Sequence, residues 1–128
     1  MSSTAEFVAR VEDYFLGRDQ NHDLWAEDVV IETPFAPARR HEGRQRFLDE
    51  TRESRESLPV RFDEMRDVTV HEAGDTLVLE YELAGTVLTT GRQASARFVV
   101  VARLRDGQVT HWREYPDTAA IAAVLGGS

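Results

Sequence analysis

The apolar positions of this chain follow two rhythms. Phe7, Val8, Val11, Tyr14 and Phe15 recur at helical spacing behind a Ser3–Glu6 capping pattern and stop at Gly17, which predicts an amphipathic first helix. Asn21-His22-Asp23 offers another helix start before Leu24-Trp25-Ala26, read as a short turn into a strand over Val29–Thr33. Pro34 and Pro37 end that strand and hold Phe35 in a stiff loop. From Gly43 to about Arg55 the pattern is again helical, with Phe47 and Leu48 inward. Arg46 and Glu50, and Arg52 and Glu56, stand four apart on its solvated face.

Beyond that helix the period falls to two. Strands are predicted over Val60–His71, Thr76–Leu88, Ala94–Arg105 and Val109–Asp117, followed by a small helix around Ala119–Leu125. The turns between them are Ala73-Gly74-Asp75, Thr89-Thr90-Gly91 and Arg105-Asp106-Gly107-Gln108, whose Asp-Gly favours the positive φ values of a tight hairpin. Helices followed by long hairpin-linked strands predict an α+β fold, with a curved antiparallel sheet forming a cone closed by N-terminal helices. Gly85, inside a strand, marks a bend that helps the sheet curl. With 128 residues, 41% of them hydrophobic, the chain is read as one domain over residues 1–128.

Composition narrows the chemistry. The chain has no cysteine, which removes thiol nucleophiles, disulfides and thiolate metal sites. All 15 cationic residues are arginine, so no lysine can form a Schiff base. A net charge of −8 argues against a nucleic-acid or anionic-membrane partner. With neither a basic, apolar N-terminal signal nor a membrane-length run, a cytoplasmic location is expected. No His-x-His or His-Glu-x-x-His spacing suggests a metal, and no phosphate-cradling glycine loop suggests a nucleotide, so no cofactor is expected.

The strongest chemical signal lies in the last strand. Its alternation puts Trp112, Glu114 and Pro116 on one face and His111, Arg113 and Tyr115 on the other. If the first face lines a cavity, Glu114 is a carboxylic acid in apolar surroundings, with the raised pKa that acid/base work near neutral pH requires. The alternative is that Glu114 holds Trp112 and a neighbouring arginine in place. His111 and His71 fall on outward faces and His22 and His41 in loops, so all four read as surface residues. Arg39, Arg40, His41 and Arg44 form a basic cluster, read as solvated. Asp117, the other carboxylate near the chain's end, stands where a helix N-cap is expected.

The segments DGQVTHWREYPD, LWAEDVVIETPFAP and EGRQRFLDE resemble the nuclear transport factor 2-like superfamily, within it the SnoaL-like polyketide cyclases and limonene-type epoxide hydrolases. The resemblance runs from about Glu6 to Leu125 and implies a deep, mostly apolar cavity within the cone. The epoxide hydrolases' Asp-Arg-Asp set falls on Tyr81, Leu83 and Glu114, so epoxide opening is not implied here. What remains is a Glu114–Tyr81 pair, suited to enolisation, cyclisation or dehydration. Strand parity, anchored by the resemblance, adds a substrate-binding wall of Ile31, Thr33, Leu83, Phe98, Val100 and Trp112, with Phe15 from the first helix and Phe35 from the loop. The expectation is a homodimer acting without cofactor on a small hydrophobic, polyketide-like or terpenoid-like molecule. The alternative is a non-catalytic binding or sequestering protein using the same cavity.

Overall fold

In the computed structural model, which describes residues 4–18, 23–57 and 60–125, three helices pack on one curved sheet. Helix α1 (Thr4–Phe15) buries Phe7, Val11 and Tyr14. Strand β1 (Trp25–Glu32) leads through a tight loop to the short β2 (Arg40–Glu42) and then α2 (Arg44–Ser57). Strands β3 (Val60–Ala73), β4 (Thr76–Val87), β5 (Gln93–Arg105) and β6 (Gln108–Pro116) follow, and α3 (Thr118–Leu125) ends the described chain. Ser3, Asn21, His22 and the side chain of Glu56, used in the sequence reading, lie outside the described residues.

The sheet order is β2-β1-β6-β5-β4-β3. All neighbours are antiparallel except β1 and β6, which run parallel; the expected antiparallel sheet thus contains one parallel pair. That pair joins the two ends of the sequence, and no local pattern announces it. Strict alternation holds along β4, where Leu77, Leu79, Tyr81, Leu83 and Val87 face the helices. Asp106 and Gly107 both take positive φ, 53° and 80°, as the β5–β6 hairpin requires.

Two elements differ from the sequence reading. Trp25 and Ala26, expected in a turn, are the buried start of β1, where Trp25 pairs with Val109. A register irregularity between Trp25 and Val30 breaks the alternation that would have marked them as strand. Residues 40–42, expected in a loop, form edge strand β2 against β1, with Ile31 opposite His41. Three polar residues offer no hydrophobic alternation to read.

Candidate active site

The inner face of the sheet and the three helices enclose a mostly apolar cavity of about 470 Å³, within the range of about 300–1,000 Å³ usual for small-molecule sites. Its aromatic wall is built edge to face. Trp25 meets Trp112 at 5.2 Å, Tyr14 at 5.1 Å and Phe47 at 4.9 Å between ring centroids, so β1, β6, α1 and α2 are held by one ring cluster. Such pairs each add about 0.5–1.5 kcal/mol beyond the area they bury. Phe15, Ile31, Thr33, Leu83, Phe98 and Trp112, expected on the wall, all line the cavity. The Thr33 hydroxyl donates to the Ala38 carbonyl at 2.8 Å and is already satisfied.

Glu114 opens onto this cavity from β6. Its flanks on the same strand are Trp112 and Pro116, and Val100 lies directly opposite on β5. Among the described residues its one hydrogen bond is accepted from the Trp112 indole Nε1, at a long 3.3 Å. Burial raises its pKa and the Trp112 hydrogen bond only partly opposes the shift, so the neutral acid persists above the ordinary glutamate range. Among the described residues no arginine bonds to it; Arg113 lies instead over the Tyr115 ring, 5.9 Å from its centroid.

Three expected placements are corrected. Phe35 is 63% exposed and packs edge-on against Tyr115 at 5.6 Å, away from the cavity. The loop folds back on itself, with Thr33 N donating to Arg39 O and Ala36 N to Thr33 O, and this leaves Phe35 at its outer tip. Val100 points inward as expected but is wholly buried between strands and helices and does not reach the cavity. Tyr81 is likewise fully buried, stacked on Phe98 at 5.5 Å, and does not line the wall. The expected hydrogen bond to Glu114 is not formed; the Tyr81 hydroxyl has no partner among the described residues. Burial raises the Tyr81 pKa strongly, and the nearby charge of Glu114 raises it further.

Asp117 does what its position suggests, capping α3 through the Ala120 amide at 3.0 Å, and is not on the cavity wall. His71 is paired at the surface with Glu80 at 2.8 Å, and His111 contacts Glu32 on the outer face. The basic cluster is dispersed. Arg44 staples the start of α2 to β1 by donating to the Trp25 carbonyl at 3.1 Å, and Arg40 pairs with Glu42.

His41 departs from its surface reading. Its side chain is only 19% exposed and lines the cavity together with Glu50 from α2, which it contacts through Nδ1. Trp25 also lines the cavity, and its buried indole N–H has no partner among the described residues. Neither was visible in the sequence, because Trp25 precedes a register irregularity and His41 sits among arginines on a three-residue strand.

With this geometry in place, comparison with known proteins adds the lineage. Residues 6–112 match the family model described as a SnoaL-like domain. The chain belongs to the SnoaL-like family. An uncharacterised Bacillus subtilis protein, YesE, is 27% identical over 130 residues, covering 96% of this chain and 87% of its own. An uncharacterised PhzA/B-like protein of Pseudomonas aeruginosa is 31% identical over 110 residues, covering 82% of this chain and 76% of its own. Among solved structures, a Bacillus subtilis protein provisionally named an isomerase superposes with a TM-score of 0.82 at 26% identity, over 97% of this chain and 93% of that one. IdmH of Streptomyces antibioticus, provisionally named a polyketide cyclase, has a TM-score of 0.77 at 20% identity, over 98% and 99% of the two chains, and shares the fold.

Proposed function

We propose that this SnoaL-like protein catalyses cofactor-free acid/base chemistry (cyclisation, isomerisation or dehydration) on a hydrophobic polyketide-like or terpenoid-like metabolite, acting as a homodimer. The observation that carries the reading is Glu114, a carboxyl group at the wall of an apolar cavity, held among the described residues by one long hydrogen bond and with its pKa raised by burial. A neutral acid beside a bound ligand donates a proton at carbon or oxygen, and the carboxylate it leaves takes one back. Tyr81 supports this as a positioning residue. Its hydroxyl is buried and has no partner among the described residues, which costs about 1–3 kcal/mol, and it lies near enough to sense the charge of Glu114. It is thus available to stabilise the carboxylate once the proton has left. The aromatic wall selects flat, apolar ligands.

The test is a thermal-shift screen of aromatic polyketides and terpenoids with and without chelator, followed by incubation of each stabilising compound in D2O. Exchange at a ligand carbon, unaffected by chelator, is the expected result. Binding without exchange or conversion across the panel would favour a sequestering protein, and chelator-sensitive binding would contradict the cofactor-free reading.

A further inference from the structure

The charge on the cavity wall is lopsided. Among the described residues that line it, Glu114 and Glu50 carry carboxyl groups and none is an arginine. The chain has no lysine, so His41 is the only basic side chain there. Glu50 is ion-paired from outside the cavity: one oxygen accepts from Arg46 Nε at 3.0 Å, and the Arg46 side chain is 67% exposed. The other oxygen meets His41 Nδ1, yet neither of these two atoms has a hydrogen-bond partner among the described residues. A carboxylate oxygen only accepts, so what this one lacks is a donor.

Aromatic residues crowd this corner. Phe47 stands one turn before Glu50 on α2 and meets Trp25 at 4.9 Å; Trp25 meets Tyr14 at 5.1 Å, and all three line the cavity. Aromatic rings attract cations, more strongly when water is held away. Burying a cation is costly unless it meets an opposite charge. Glu50 supplies that charge, and its side chain, 35% exposed, keeps this end partly solvated. The Glu114 end offers a cation less, because burial favours the neutral acid there. An anion fares worst, since no arginine of the wall receives it and Glu114 adds a second like charge whenever its proton leaves. The two ends are well separated. His41, in contact with Glu50, lies opposite Ile31, and Ile31 opposite Trp112, two residues before Glu114. Strand spacing and rise put the His41 and Glu114 Cα atoms on the order of 12 Å apart.

We propose that the cavity takes a hydrophobic amine in its protonated form, with the ammonium group at Glu50 and the carbon framework running along the aromatic wall to Glu114. The proposal rests on the reading of the cavity as the site for a hydrophobic ligand, and narrows that ligand to one bearing a basic nitrogen. The ammonium N–H groups supply the donors that Glu50 lacks. Glu50 is thus a specificity-determining residue and exchanges no proton with the ligand. The same wall rejects molecules that carry a free carboxylate.

The test uses one two-ring framework with three end groups: 2-naphthylmethylamine, 2-naphthalenemethanol and 2-naphthoate, titrated calorimetrically at neutral pH and low salt. On the wild type, which needs no variant to fold, the amine should bind about tenfold more tightly than the alcohol, and the carboxylate should bind most weakly. Glu50→Gln should bring the amine down to the affinity of the alcohol while leaving the alcohol unchanged, with melting curves showing a folded protein. Glu114→Gln should keep the preference for the amine. Equal binding of amine and alcohol to the wild type would overturn the proposal and leave the hydrophobic-ligand reading standing. So would a preference that Glu50→Gln keeps or that Glu114→Gln removes, since the ammonium would then sit elsewhere. If none of the three compounds binds, the proposal falls together with that reading. A preference for the amine in a protein that exchanges no ligand proton in D2O keeps this proposal and removes only the acid/base chemistry.

Discussion

At the scale of single residues, what decides between a structural and a chemical role for Glu114 is how little holds it. A structural carboxylate accepts several hydrogen bonds or pairs with an arginine; among the described residues Glu114 accepts one, at 3.3 Å, which a glutamine carbonyl accepts equally well. Its ionisation therefore works against the fold. The native state keeps the proton to higher pH than the unfolded chain, so stability falls as pH rises from the ordinary glutamate range through the raised native value, then levels off. The lowered carboxyls of Asp28, Asp63 and Glu82 act in the opposite sense, losing their contribution as pH falls, but they are common to wild type and variant and cancel in a comparison. Melting curves from about pH 4 to 8 should show Glu114→Gln matching the wild type at the acid end and gaining on it as pH rises. A variant less stable throughout would assign Glu114 a structural role. Glu114 was legible in the sequence because its strand alternates cleanly after an Asp-Gly turn. His41 was not, since only the tertiary pairing of β2 with β1 turns it inward.

At the scale of elements, the bend of the long strands shapes the cavity. The sequence marks Gly85 as a bend, and the structure adds the reason. A Cβ there would stand 2.6 Å from the Arg61 carbonyl oxygen and 3.3 Å from Val60, beside the irregularity where β3 carries an extra residue between Phe62 and Glu64. Gly85→Ala forces strand β3 away and should cost about 1–3 kcal/mol, as other overpacked sites do, read as a lower midpoint in urea. An unchanged midpoint would contradict the close approach. The helices and hairpins were readable because each is encoded locally. The β1–β6 parallel pairing and the start of β1 at Trp25 were not, because the first depends on residues more than eighty positions apart and the second lies where the alternation breaks.

At the scale of the whole molecule, the outer face of the sheet remains to be covered. Val78 and Val99 lie there among Glu80, Glu82, Arg97 and Arg103, and Val99 is 38% exposed. An apolar centre ringed by both signs of charge suits a self-complementary two-fold contact, in which each arginine meets the partner's carboxylates. Light scattering at micromolar concentration should give twice the 14.5 kDa chain mass. A monomer would contradict the proposed dimer and leave the cavity chemistry untouched, since every wall residue named above comes from one chain. The curved sheet with helices on its inner face was legible from the change in period, whereas the cavity's closure by α3, through Ala120 and Ile121, was not, because eight residues of small apolar character carry no partner information.

The most direct test of the central claim measures melting temperature, ligand affinity and turnover on the same samples of wild type and Glu114→Gln, using a compound converted in the D2O screen. The account predicts an unchanged or higher melting temperature at neutral pH, retained affinity and lost turnover, with Tyr81→Phe, which acts only through Glu114, lowering the rate by a smaller factor. Turnover by Glu114→Gln at the wild-type rate would contradict it.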